Sequence, residues 1–278
     1  MKRIMSIQDI SCLGKCSLTV ALPVISAMGV ECAIVPTAVL STHSLFPGFT
    51  FRDLTEDLRP IADHWQKLGF RFDAIYTGYL GSLEQVRLVG EYMDRFGSQD
   101  TLIFVDPVMG DHGKLYSGFD GTFVREMAGL CARADIIVPN LTEACFLTGT
   151  PYREDGDEAY IQEVLDKLAA LGAKKVVLTG VCFEAGKTGF VGMDAATGQV
   201  FAHAHEKIGG GFSGTGDIFA STTVGALMLG RPLPEALTIA GDYVTECIRA
   251  TVANGRQDSY GVDFEQAIPW LVRTIHQE

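Results

Sequence analysis

The chain has 278 residues, 47% of them hydrophobic and 20% charged, which suits a large α/β unit with a sizeable core and speaks against disorder. A formal charge of -12 and an isoelectric point near 4.9 leave no basic stripe for a phosphate backbone, and no stretch reaches about 18 uninterrupted apolar residues, so nucleic acid and membrane are not expected partners. The opening MKRIMSIQ lacks the apolar core of a secretion signal, and the seven cysteines (Cys12, Cys16, Cys32, Cys131, Cys145, Cys182, Cys247) are odd in number with no C-x-x-C pair. The expectation is a soluble cytoplasmic protein with reduced thiols.

Short, β-branched apolar runs of strand length recur in chain order: RIMSIQ from Arg3, CAIVPTAV from Cys32, AIYTGYL from Ala74, TLIFVDPV from Thr101, DIIVPN from Asp135 and KVVLTG from Lys175. GFTFRDLTEDLRPIADHW from Gly48 reads as mostly helical, with Pro60 as a break or kink. Helical spacing fills Glu84 to Phe96 and Ile161 to Leu171, and the alternation of strand and helix predicts a mostly parallel sheet with helices on both faces. TGFVGMD and QVFAHAH, joined by the turn residues Ala195 to Gly198, predict an antiparallel hairpin at one edge. Beyond Ser213 the pattern is helical through Leu229, from Pro232 to Ala253 and from Asp263 to His276. No repeat or linker divides the chain, so residues 1–278 are expected to form one domain.

In such a sheet, ligands sit beyond the carboxyl ends of the strands. The polar residues there are Asp9, Thr37 with Ser41 and His43, Thr77 to Gly81, Asp106 to Asp111, Asn140 to Glu143, and Thr179. Two patterns are decoys. VCFEAGKT, ending at Thr188, looks like a phosphate-binding P-loop, but Val181 stands where its first glycine belongs and a strand pattern follows where a helix must open; a hairpin turn at the nucleotide edge is the better reading. His203 and His205 share a strand face without a third metal ligand, which suits surface imidazoles.

The chemistry concentrates in GGGFSGTGD, from Gly209 to Asp217. A helix starting near Thr215 to Asp217 exposes first-turn amides with no internal partner at the positive end of its dipole, and Gly214 and Gly216 carry no side chains to keep an anion away. The result is an anion hole. A carboxylate at 217 is tolerated in a first helical turn for dipole reasons alone; beside a bound phosphoryl group, which it would repel, it makes sense mainly as the base that deprotonates an attacking hydroxyl. Phosphoryl transfer also needs a hard divalent cation; Asp106, Asp111 and Glu143 are candidate magnesium ligands, with Asn140 able to orient a water or phosphate oxygen.

These residues resemble the ribokinase superfamily through GTGD at Gly214 to Asp217 and NLTE at Asn140 to Glu143. GYLGSLEQ from Gly78, DPVMGD from Asp106, STH from Ser41 and SIQD from Ser6 narrow the resemblance to the pyridoxal/pyridoxamine (vitamin B6) kinases over essentially the whole chain. The resemblance implies a ribokinase-like α/β fold without a lid domain, a homodimer, and ATP-dependent phosphorylation of the 5′-hydroxymethyl of pyridoxal, pyridoxine or pyridoxamine, with magnesium and a monovalent cation as candidate cofactors. It makes Asp217 the base and Gly214, Thr215 and Gly216 the anion hole. It sets Asn140 and Thr179 on the ATP side, Asp106, Asp111 and Glu143 by magnesium and the phosphates, and Asp9, Thr37, Ser41, His43 and Tyr79 about the pyridine ring. Asp9 replaces a serine common in relatives, which puts an acid where it could favour the cationic pyridoxamine, and Val39 replaces a frequent glutamine. A hydroxymethylpyrimidine or a sugar as the alcohol, or a non-catalytic B6- or nucleotide-binding protein, are the alternatives; pyrimidine kinases usually carry cysteine in place of the aspartate at 217.

Overall fold

Period-two alternation along the apolar runs decides the layering. In β1 (Arg3–Leu13), Ile4 packs to one side and Met5 and Ile7 to the other; β4 (Ala74–Thr77) separates Tyr76 from Ile75, and β9 (Lys175–Thr179) separates Val177 from Val176 and Leu178. The computed structural model describes residues 1–181, 184, 186–209, 211–256 and 260–276. Cys182, part of the VCFEAGKT loop and Gly210 of the glycine run lie outside the described residues. With β2 (Glu31–Thr42), β3 (Phe51–Asp53), β5 (Leu102–Val105), β8 (Ile136–Ile137), β10 (Lys187–Asp194) and β11 (Val200–Glu206), the strands form a nine-stranded sheet of order β11-β10-β9-β8-β5-β4-β1-β2-β3. The strands from β9 to β2 are parallel, and both edges are antiparallel: β10 and β11 form the expected hairpin, and β3 returns along β2.

Helices α2 (Thr55–Lys67), α3 (Leu83–Phe96), α4 (Gly121–Cys131), α5 (Leu141–Thr148) and α6 (Glu158–Ala169) cover the face that takes Met5, Ile75 and Leu178. Helices α1 (Leu18–Ala27), α7 (Thr215–Met228), α8 (Leu233–Ala253) and α9 (Phe264–His276) cover the other, with α1, α7 and α8 supplying Ala21, Val224 and Leu237 against Tyr76 and Phe104. Helix α7 has small and β-branched residues buried all round, among them Ala220, Ser221, Thr223 and Gly225, and the Met28 sulfur sits where a side chain at 225 would begin. It therefore lies as an inner helix between the sheet and α8.

The chain runs outward from β1 to β2 and β3, then crosses back to β4 on the other side of β1. That reversal opens a crevice at the carboxyl ends of β1 and β4. The β1–β2 register slips there, from Gln8 opposite Pro36 to Ile10 opposite Val39, so one residue of β1, Asp9, faces two of β2, Thr37 and Ala38. Pro36 has no amide to donate, and a bulge of this kind re-aims the side chains beside it.

The Gly48 segment differs from its helical reading. Its first part is edge strand β3, and Leu54 N donates to the Thr37 carbonyl before α2 runs unbroken through Pro60. Beyond β5, β6 (Gly110–Asp111) pairs with β7 (Lys114–Leu115) in a separate small hairpin.

Candidate active site

One wall of the crevice is the strand-end group. Asp9 is buried and accepts hydrogen bonds from Ser17 Oγ at 2.5 Å and Ser11 Oγ at 3.2 Å. Burial pushes its carboxyl above the ordinary range, against the pull of the two serines and the nearby His43. His43 is buried, stacks on Phe46 at 4.7 Å between centroids, and has no hydrogen-bond partner for either ring nitrogen among the described residues. Thr37 is fully buried and donates to the Tyr79 carbonyl at 3.4 Å. Tyr79, whose hydroxyl is held above its usual range by burial and by the Asp9 charge, lies 5.8 Å from the Phe119 ring. Asp9, Thr37, His43 and Tyr79 are thus brought together. Ser41 is not: it is exposed, and its Oγ accepts from Thr50 N at 2.8 Å to close the loop between β2 and β3.

The second wall is the start of α7. Gly214 is its N-cap at φ +78°, and a Cβ there would lie 1.9 Å from the Lys15 carbonyl oxygen. Glycine at 214 is thus required by its backbone angle and by close approach of the β1–α1 loop, rather than by clearance for an anion. Clearance is the property of Gly216, which is exposed and would meet nothing within 4 Å of an added Cβ. Ile218 N is the first amide to bond back, to the Gly214 carbonyl at 3.0 Å; the amides of Thr215, Gly216 and Asp217 have no partner among the described residues. Asp217, half-buried on that first turn, has its pKa raised to about 7 by burial, with the Ser17 amide pulling it down and Asp9 pushing it up. A carboxylate with that value holds its proton weakly enough to ionise near neutrality and strongly enough to serve as a base.

The third group lies beyond β5 and β8. Glu143 is buried; its Oε1 accepts from Met109 N at 3.1 Å and its Oε2 from Asn140 N at 2.9 Å, while Asn140 Oδ1 accepts from Glu143 N at 3.0 Å. This reciprocal pair is a capping box on α5. Asn140 Nδ2 donates to the Gly110 carbonyl at 2.9 Å, and Thr179, bridged to Asn140, donates to the Pro139 carbonyl at 3.3 Å. Asp106 is buried and its carboxylate has no hydrogen-bond partner among the described residues; burial, then Glu143, then Asp217 push its pKa well above the usual range. Glu143 is raised to about 8, mainly by burial and against the three backbone amides that face it. Asp111 stands apart on the exposed hairpin, with its carboxylate taken by the His112 amide at 2.8 Å. Among the described residues no three His, Cys, Asp or Glu side chains are grouped closely enough to enclose an ion. An unpartnered buried acid beside a second one nevertheless suits magnesium, which keeps several waters and needs only one or two carboxylates.

Several residues of the site escaped the sequence reading. Ser17, at φ +53° and ψ -135°, touches Asp9 with its side chain and faces Asp217 with its amide. A non-glycine residue in that conformation costs about 1–3 kcal/mol, and nothing in GKCSLT announces it. Cys16, between the two acids, is pushed up to about 12 by burial and by their charges, so its thiol is inert. Between the sheet and α7, Gln8 Oε1, Tyr76 OH and Ser221 Oγ are buried; Tyr76 faces Ser221 and Gln8 without reaching hydrogen-bonding geometry.

The chain matches the phosphomethylpyrimidine kinase family over residues 22–261. A pyridoxine/pyridoxal/pyridoxamine kinase of Bordetella avium is 30% identical over 258 residues, which cover 89% of this chain and 85% of that one. Among solved structures, a Bacteroides thetaiotaomicron protein assigned as a phosphomethylpyrimidine kinase, in a crystal form with pyridoxal, is 39% identical with a TM-score of 0.92 and coverage of 97% and 95%. Pyridoxal kinase of Leishmania donovani in complex with ADP and pyridoxamine is 25% identical with a TM-score of 0.87, covering 98% of this chain and 96% of that one.

Proposed function

Because the chain belongs to the phosphomethylpyrimidine kinase family, in its ribokinase-like pyridoxal kinase branch, we propose that it transfers the γ-phosphoryl group of ATP to the 5′-hydroxymethyl of pyridoxal, pyridoxine or pyridoxamine. The observation that carries this reading is the open first turn of α7, where three amides without a partner among the described residues stand beside an acid poised near 7. The vitamer's ring lies among Asp9, Thr37, His43 and Tyr79, with its hydroxymethyl directed at Asp217. Asp217 takes the hydroxyl proton as the oxygen attacks the γ-phosphorus; the bond to the ADP oxygen breaks, and the amides of Thr215, Gly216 and Asp217 hold the charge that develops on the transferred group. The relative crystallised with ADP supports ATP as the donor. Asn140 and Thr179 belong to the nucleotide side only through their backbone neighbourhood, since their side chains are spent on Gly110, Glu143 and Pro139.

Magnesium would be held through Asp106 and Glu143 and would neutralise phosphate oxygens. The six described cysteines are unpaired, in keeping with work in the cytoplasm. Exposed Leu45, Phe49 and Phe51 lie in and beside the β2–β3 connection at the sheet edge and suit the face of a homodimer. No helix among the described residues is long and apolar enough to cross a membrane.

The test is a product assay. Purified protein is incubated with magnesium-ATP, with and without potassium, and with the three vitamers, hydroxymethylpyrimidine or ribose. A vitamer phosphate as the main product, at least tenfold over the pyrimidine, is expected. Phosphorylation of the pyrimidine or the sugar alone, or of nothing, would overturn the reading.

A further inference from the structure

Ser17 stands at the start of α1, where a serine ordinarily turns its hydroxyl back onto the helix's first amides. Here the hydroxyl makes no cap and instead donates to Asp9 Oδ1 at 2.5 Å. The residue is buried and sits at φ +53°, and the other described non-glycine residue with positive φ, His112, lies on the exposed tip of the β6–β7 hairpin, where such angles are ordinary.

A strained conformation persists where its surroundings over-determine it. The Lys15 carbonyl fills the space above Gly214, the His43 ring fills the space beside Gly14 at 2.4 Å from where a Cβ would be, and Ile10 bridges Ser17 from β1. So fixed, the backbone aims the Ser17 amide at the Asp217 carboxylate while its side chain reaches Asp9. A plain capping serine would need neither the angle nor the acid.

We propose that Ser17 is a positioning residue that sets the vitamer-side acid Asp9 and the base Asp217 in register with each other, its hydroxyl holding the first and its strained backbone, in the loop packed against the start of α7, facing the second. The inference rests on the reading of Asp217 as base, and extends it by making one serine the link between the vitamer wall and the phosphoryl-transfer corner. Without the hydroxyl anchor, the backbone relaxes out of its positive angle. The amide then leaves Asp217, and both acids drift.

The test compares Ser17→Ala and Ser17→Gly with wild type by pyridoxamine affinity, kcat with pyridoxamine, KM for ATP, and melting temperature. Both variants are expected to bind pyridoxamine about tenfold more weakly and to lose about tenfold in kcat, with KM for ATP within twofold. Ser17→Gly, which removes the strain, should melt above Ser17→Ala, so at least one variant stays folded for the comparison. A structural loop residue would move the melting temperature alone. Wild-type kcat or wild-type pyridoxamine affinity in both variants, or a parallel rise in KM for ATP, overturns the inference. An inactive wild-type protein overturns the proposed function together with it, whereas an active wild type with unaffected variants overturns only the role of Ser17.

Discussion

Helices α5 and α7 both open onto the crevice, and both carry an acid at the third position of the first turn, Glu143 after Asn140 and Asp217 after Gly214. The outcomes are opposite. In α5 the Asn140 carboxamide and the Glu143 carboxylate satisfy each other's backbone, and both Glu143 oxygens are occupied, so the helix end is closed on itself. In α7 the N-cap has no side chain to offer and the acid is one methylene shorter, so the amides stay open and the carboxylate remains available. The comparison teaches that the residue at the cap decides whether a helix end is a structural joint or a binding site; an acid in the first turn is compatible with either.

The largest expected effect is at the acid of the open end. Asp217→Asn should lower kcat by about 10²- to 10⁴-fold while vitamer and ATP affinities stay within about threefold; unchanged turnover would remove the base from the account. Next is the open cap itself. Gly214→Ala drives a Cβ into the Lys15 carbonyl and forces alanine to φ +78°, a cost of more than about 3 kcal/mol, which a thermal melt should register as a fall of several degrees.

The paired variants Asn140→Ala and Gly216→Ala sharpen the contrast between the two ends. Loss of the α5 cap should cost about 1–2 kcal/mol of stability, read in a denaturant titration, with modest kinetic change. Gly216→Ala should leave the melt unchanged, because its Cβ points into open space, and raise KM for ATP several-fold. The reverse pattern would show that the ends had been assigned the wrong way round.

The smallest effect is on stability against pH. Glu143 near 8, Asp217 near 7 and Asp106, also raised, hold protons in the folded protein that the unfolded chain releases near pH 4. The folded state therefore binds more protons between about pH 4 and 8, and its stability falls as pH rises through that window. Acids lowered by partners, such as Asp73 and Asp263, act at more acidic pH. The metal-free protein should melt higher near pH 5.5 than near pH 8, with a flatter slope in Asp106→Asn; a rising slope would contradict the burial of these acids.

Much of the fold was legible because the buried strands combine β-branched residues with turn signals, as in TLIFVDPV and KVVLTG, and because the Ala195 to Gly198 turn separates two alternating runs. Strand β3 was not, since Phe51, Arg52 and Asp53 are all exposed and leave no periodic signature. Helix α2 was legible as a helix, but not its unbroken run through Pro60, whose missing donor is tolerated within the amphipathic helix. In the site, Asp217 and its glycines announced themselves by spacing, whereas Asp9 and Thr37 owe their meeting to a bulge that no local pattern encodes. Ser17 owes its role to a backbone angle imposed from Gly14, Lys15 and Gly214, which only tertiary packing supplies.

The most direct test of the central claim is a crystal structure with ADP, a planar phosphoryl mimic such as aluminium fluoride, and pyridoxal. The account predicts the mimic within about 3.2 Å of the amides of Thr215, Gly216 and Asp217, with the vitamer's hydroxymethyl oxygen at hydrogen-bonding distance from the Asp217 carboxylate. A mimic seated at the capped end of α5, or a hydroxymethyl turned away from Asp217, would contradict it.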